Sequence, residues 1–144
     1  MTAYLEVKTI SYETASRIVR EALAHAAKIG VPAAVAVCDP GGHLVAFGRA
    51  DGTMTSAIEV AISKATTASS FGMPTDKLHD FIASDDHLRL ALPHAEKVLL
   101  VGGGYPVSAG DATIGAVGVS GGYFKQDMEI ARKGIDAALA GAAA

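Results

Sequence analysis

Residues 32–49 read "PAAVAVCDPGGHLVAFGR". The run PAAVAVCD is almost unbroken in its apolar character, so it reads as a strand buried on both faces. DPGG at 39–42 is turn chemistry, and HLVAFGR at 43–49 returns as a second strand. Two strands joined by so short a turn pair antiparallel, because a parallel pair needs a crossover of a dozen or more residues. A hairpin at this point therefore predicts a mainly antiparallel sheet with helices packed on it, an α+β domain.

The flanking segments fit that frame. On the amino-terminal side Ser11 caps a helix, Glu13 sits in its first turn, and Gly30 stops it. Ala15, Ile18, Val19, Ala22, Leu23 and Ala26 form its apolar stripe. On the other side a polar loop, DGTMT, leads into a helix at 56–71, with Ile58, Ala61, Ile62, Ala65 and Ala68 along one side. Pro74 breaks it, and a short helical piece follows around Leu78, Phe81 and Ile82. Residues 84–96 read as an irregular connection, KVLLV at 97–101 as a strand, and PVSAGDATIGAVGVS as two more strands around the Gly110–Asp111 turn. A last helix begins near 124 with Phe124, Met128, Ala131, Ile135 and Leu139 on one face, and the tail AGAAA is expected to fray. No repeat or linker divides the chain, so residues 1–144 read as one domain.

Length and composition narrow the function. The chain has 144 residues, 50% hydrophobic and 19% charged, with only 6% aromatic. That apolar surplus fits close helix–sheet contacts together with surface hidden in a homo-oligomer. A net charge of −3 without a Lys/Arg run argues against nucleic acid as a partner. The single cysteine, Cys38, excludes an intrachain disulfide and a cysteine-ligated metal cluster within one chain. MTAYLEVKTI lacks a basic segment ahead of an apolar core, and no run approaches the roughly 20 apolar residues of a membrane span. A soluble cytoplasmic protein is expected, although a chain already relieved of a leader would read the same.

Residues 101–122, "VGGGYPVSAGDATIGAVGVSGG", are dense in glycine. They contain neither G-x-G-x-x-G nor the G-K-[ST] of a phosphate loop, so nucleotide binding is a poor explanation. Gly115 and Gly118 fall inside a predicted strand, where glycine marks close approach of another backbone or a flat ligand. Two readings stay open: helices or a second subunit fill the bare area, or it is a shallow slot for a planar molecule.

Four stretches carry a family likeness: AVAVCDPGGHLVAFGRADG, AISKATTASSFGMPT, GGGYPV and IGAVGVSGGYFKQDMEIARKG. In this order they resemble the GlcG/HbpS-like family, which includes haem-binding proteins and the carboxy-terminal domain of PduO-type cobalamin adenosyltransferases. The likeness covers about residues 8–140. It implies a profilin-like fold, with a five-stranded antiparallel sheet and helices on both faces, and homo-oligomers such as hexamers or octamers. It also implies haem as the cofactor, with haem degradation as a further activity.

The candidate residues can be weighed one at a time. Tyr105 lies in the GGYP turn, near which haem contacts fall in a relative that lacks this tyrosine. It is either a ligand for ferric iron, needing a cation to lower its pKa, or a ring that packs with its hydroxyl in water. His94, after Pro93 and before the 97–101 run, is the histidine best placed to reach Tyr105, while His25 reads as structural at a helix end. Gly103, Gly104 and Gly118 would line the planar slot. Arg49 and Asp51 in RADG are either an anion clamp for a propionate or an acid substrate, or a pair that stabilises the loop. Lys64 is either a base or imine former or a snorkelling side chain, and Asp127 reads as a helix-start residue.

Two functional classes follow. The first is a protein that binds haem or a related planar ligand through Tyr105, His94, Arg49 and the glycines, with Tyr105 or His94 on the iron. The alternative is an isomerase, tautomerase or lyase for a small oxo- or hydroxy-acid in a catabolic pathway, with Arg49, Asp51, Lys64, His94 and Tyr105 converging as clamp and acid–base groups. A purely structural oligomeric module would show neither property.

Overall fold

A computed structural model describes residues 1–141; the fraying expected of the tail falls largely on 142–144, outside the described residues. The elements in order are α1 (Tyr12–Lys28), β1 (Ala34–Cys38), β2 (Leu44–Arg49), α2 (Ser56–Phe71), α3 (Thr75–Ala83), α4 (Asp86–Ala91), β3 (Gly104–Ala109), β4 (Ala112–Ser120) and α5 (Phe124–Leu139). Ser11 caps α1 as its sequence predicts, its hydroxyl accepting the Thr14 N–H at 3.1 Å. The strands form one antiparallel sheet in the order β2-β1-β4-β3, with the 39–43 hairpin joining its first two members.

The alternation of β1 divides the core into two layers. Val35 and Val37 face α1 and α5, where Ile18, Val117, Val119 and Ile130 complete the larger cluster. Ala34, Ala36 and Cys38 face α2, which answers with Ala57, Ala61, Ala65 and Ala68. The large-residue face gains from area, at roughly 1.5–3 kcal/mol per buried Val or Ile side chain. The small-residue face gains from closeness, since alanine and glycine let the axis of α2 settle directly on the strands. Helices thus cover both faces of the sheet.

Among the described residues the sheet has four strands rather than the five expected. Residues 97–101 do not pair with a neighbour. Lys97 turns the chain with φ +61°, and the following backbone groups bond to side chains of the helices instead. The Thr67 hydroxyl donates to the Lys97 carbonyl at 3.2 Å and accepts the Leu99 N–H at 3.0 Å. The Thr75 hydroxyl donates to the Val101 carbonyl at 2.6 Å and accepts the Gly104 N–H at 3.0 Å. Two threonines therefore replace a strand partner, and an apolar run that reads as β becomes a braced, irregular wall.

Two smaller corrections follow from local chemistry. Within 84–96, read as irregular, Asp85 caps α4 by accepting the His87 and Leu88 N–H groups, and a short 3-10 turn, Leu92–His94, follows. Along α5 the buried residues are Asp127, Ile130, Ala131, Gly134 and Ala138, with Ile135 and Leu139 packed against the core beside them, so of the predicted stripe only Phe124 and Met128 lie away from it. Those two residues look into a cleft.

Candidate functional site

The cleft lies between α3, the 100–102 segment and the first half of α5, and holds about 540 Å³. From α3 come Asp76, His79 and Asp80, which share one helix face at i, i+3 and i+4. From α5 come Phe124, Met128 and Arg132, one stripe at i, i+4 and i+8, with Lys125 beside them. Leu100 and Val101 form the floor, held there by the Thr67 and Thr75 hydrogen bonds. A second groove of about 370 Å³ continues from it, sharing His79, Leu100 and Val101 and adding Ile82, Arg89 and Pro93. Apolar side chains make up most of the walls, with Asp76, His79 and Asp80 grouped on the α3 side and Lys125 and Arg132 on the α5 side.

Within the cleft the His79 Nδ1 lies 3.3 Å from Asp80 Oδ1, a contact that orients the imidazole through one nitrogen. The Arg132 guanidinium carbon lies 5.9 Å from the centre of the Tyr105 ring, within cation–π range. Asp76 Oδ1 is buried and has no hydrogen-bond partner among the described residues.

Tyr105, half-buried on β3, stands behind Arg132 rather than in the cleft lining. Burial pushes its phenol pKa up, the Asp76 carboxylate adds to the rise, and only Arg132 pulls the other way. The proton is therefore held more tightly than in a free tyrosine, the opposite of what a phenolate ligand needs. Replacing Arg132 with Gln removes the one opposing charge, so Tyr105 should ionise at still higher pH. Tyrosinate absorbance in an alkaline titration, taken as the difference from the same titration in a Tyr105→Phe background so that this ring is separated from the other three tyrosines, reads the change, and a downward movement would show that Arg132 is not the charge acting on the ring.

The remaining candidates from the sequence are scattered. Arg49 and Asp51 are exposed at the end of β2, an edge strand, while Tyr105 lies on the opposite edge. Three strand spacings of about 4.8 Å put roughly 14 Å between those edges. His94 is exposed on the turn after α4, beside Pro93 of the second groove, and lines neither cavity. Gly103, Gly104 and Gly118 are buried, and no planar slot opens over them. A Cβ on Gly118 would meet the backbone of Ala61 and Ala65, and one on Gly104 the backbone of Lys64. At Gly103 it would meet the Val119 carbonyl and the side chains of Asp127 and Lys64. The area bare of side chains is the seat of α2. The clamp and acid–base set expected from Arg49, Asp51, Lys64, His94 and Tyr105 is not assembled within the chain.

Lys64 departs furthest from its sequence reading. It neither snorkels nor lies open to a ligand; it is 1% exposed. Its ammonium donates to Asp127 Oδ2 and to the Val119 carbonyl, both at 2.9 Å, and Asp127 Oδ1 accepts the Gly122 N–H at 2.9 Å. Burial drives the Lys64 pKa down and the Asp127 pKa up, and the partner offsets part of each shift. The pair ties α2 to the start of α5, one residue before Met128 of the cleft. Elsewhere on α5, Glu129 Oε1 lies 2.8 Å from His25 Nε2, so His25 is structural.

A family model described as "Haem degrading protein HbpS-like" matches residues 10–136. The chain belongs to the HbpS-like family. It is 31% identical over 132 residues to an uncharacterised 15.0 kDa protein of Citrobacter freundii from the dhaT–dhaS intergenic region, covering 91% of this chain and 93% of that one. The crystal structure of ORFY from Klebsiella pneumoniae superposes with a TM-score of 0.90 at 30% identity, over 97% of each chain. A complex of PduOC with haem superposes with a TM-score of 0.82 at 30% identity, over 90% of this chain and 94% of that one.

In this HbpS-like chain the cleft residues are largely ones a motif search passes over. D-x-x-H-D at 76–80 and F-K-x-x-M-x-x-x-R at 124–132 carry the helical spacing that would reveal them. Phe124 and Met128 read naturally as core because their stripe is apolar. Only the position of α3 shows that this stripe faces a cavity. Among the described residues no cluster of His, Cys, Asp and Glu is arranged to hold a metal ion directly, and no helix is long and apolar enough to cross a membrane.

Proposed function

We propose that this protein binds haem, or a closely related planar tetrapyrrole, in the cleft between α3 and α5. The observation that carries the reading is the cleft's lining. Leu100, Val101, Phe124 and Met128 offer walls for an apolar ring, and Lys125 and Arg132 offer cations for its propionates. His79, held by Asp80 through Nδ1, supplies an imidazole for the iron, and bound haem would bring redox chemistry to this site. The haem complex of PduOC, on the same fold, supports the choice of ligand class.

Haemin titration of the purified chain tests it. A saturable Soret shift is expected, weakened about tenfold or more by His79→Ala and unchanged by Tyr105→Phe or His94→Ala. A shift that survives His79→Ala and is lost in Tyr105→Phe would return the iron to the phenol, and no saturable shift at all would end the reading. Degradation of the bound haem is the finer proposal, taken from the family description. Its readout is iron release under peroxide that falls in step with haem affinity in the His79 variant.

The assembly belongs to the same proposal. Leu44 and Phe47 are exposed on β2, whose outer edge pairs with no strand among the described residues. We read this profilin-like sheet edge as a contact between copies in a cytoplasmic homo-oligomer, a hexamer or octamer. Light scattering that gives a monomer at micromolar concentration would remove it.

A further inference from the structure

Arg132 is turned into the cleft by a contact that its own helix does not supply. Along α5 the carboxylates of Glu129 and Asp136 stand at i−3 and i+4 from it, the usual spacing for a helical ion pair. Arg17, Arg20 and Arg89 each lie on a carboxylate of their own helix in this way. Arg132 does not. Glu129 is taken by His25, 2.8 Å away, and among the described residues Arg132 forms no ion pair or hydrogen bond with Asp136 or with any other group. Its guanidinium lies over the Tyr105 ring instead, 5.9 Å from the ring centre, while lining the cavity.

That ring is a fixed platform. Tyr105 is half-buried on β3 and packs against the larger core cluster. Attraction to the face of a ring uses the charge of a guanidinium and leaves most of its five N–H donors free. The result is a planar fork held at the cleft wall with nothing in the chain to bind, the geometry that suits a carboxylate. We propose that Tyr105 is a positioning residue for ligand binding: its ring holds Arg132 over the cleft so that the free donors meet one propionate of the tetrapyrrole. This rests on the cleft being the tetrapyrrole site. Without the ring, Arg132 is free to swing toward Asp136, and the ligand must order a long side chain as it binds. The hydroxyl has no part in this, because burial keeps the phenol protonated and the ring acts as a neutral face.

Equilibrium titration of the full chain with haemin and with haemin dimethyl ester, both in one aqueous dimethyl sulfoxide mixture, tests the idea. The two probes share ring, iron and axial ligand and differ only in the charge of the acids. Arg132→Gln should weaken haemin about tenfold and Tyr105→Leu about fivefold, and each should leave the diester within about twofold. Tyr105→Phe should match the parent, since the face of the ring is kept. In the double variant, Tyr105→Leu should add nothing to the loss from Arg132→Gln, because no guanidinium remains to be held. This cycle is read on haemin alone, so it decides the matter even where the diester binds too weakly to measure. Tyr105→Met serves if the leucine variant fails to fold. Unchanged haemin affinity in Arg132→Gln or Tyr105→Leu, an equal loss with the diester, or losses that add in the double variant overturns the positioning role while the site stands. Failure of the parent protein to bind haemin saturably overturns the site itself.

Discussion

Gly118→Ala is expected to lower the thermal midpoint by about 10 °C, although alanine is ordinarily the better residue in folded secondary structure. The cause is the floor on which α2 rests. The added methyl would occupy the space of the Ala61 carbonyl and crowd the Ala65 N–H. Both are helix backbone, which cannot rotate out of the way as a side chain can. Either the helix lifts from Ala34, Ala36 and Ala116, or the strand bends. Overpacking costs about 1–3 kcal/mol where side chains can adjust, and the upper end or beyond applies here. Gly118→Val should leave little folded protein. Gly102→Ala is the contrasting case. Its methyl would meet the Met128 sulfur at 2.7 Å and the Phe124 ring at 3.2 Å, side-chain atoms beside an open cleft, so a loss near 1 kcal/mol is expected. Equal losses at the two glycines, measured by thermal or urea unfolding, would show that α2 does not bear on β4 as described.

The second large effect concerns Lys64 and Asp127. Asp127→Ala leaves a buried ammonium with the Val119 carbonyl alone, and Lys64→Met leaves a buried carboxylate with the Gly122 N–H alone. Each single change should cost about 3–5 kcal/mol. The double variant Lys64→Met/Asp127→Leu, which removes both charges, should recover most of that loss. Additive losses in this cycle would mean that the two groups do not depend on each other.

The pH dependence has a definite sign. Burial already raises the Asp127 pKa above its unfolded value with Lys64 in place, and Lys64→Met removes the charge that opposes the rise. A carboxyl whose folded pKa is raised binds its proton more tightly in the native state. Its stabilising contribution is full below the unfolded pKa and is lost as pH rises through the folded one. Relative to the parent protein, the Lys64→Met variant should therefore be least impaired near pH 4 and lose ground toward pH 7. A flat difference across that range would place a neutral Asp127 outside the explanation.

How much of this was legible in advance depends on the range of the interaction. Ser11, the DPGG turn and the unbroken apolar run of β1 act over a few residues, and the elements they mark lie where the chain predicts them. Residues 97–101 show the limit. Val98, Leu99, Leu100 and Val101 have the composition of a strand, but their hydrogen-bond partners are Thr67 and Thr75, some 30 residues earlier in the chain. No local pattern reports such a partner. The glycines were readable as sites of close approach, but not as to what approaches; the answer, the backbone of α2, lies more than 50 residues before Gly118.

The sequence by itself settled the class of the chain: an antiparallel α+β sheet, the order of its main helices and hairpins, and the HbpS-like family, because caps, turns and apolar runs are written in neighbouring residues. Tertiary structure alone decided which polar groups meet. It buried Lys64 on Asp127, separated Arg49 from Tyr105 by the width of the sheet, and gathered Asp76, His79, Met128 and Arg132 around one cavity. The reason is geometric: a side chain's chemistry is set by the atoms within a few ångströms of it, and here those atoms belong to helices that meet only after the sheet has closed between them.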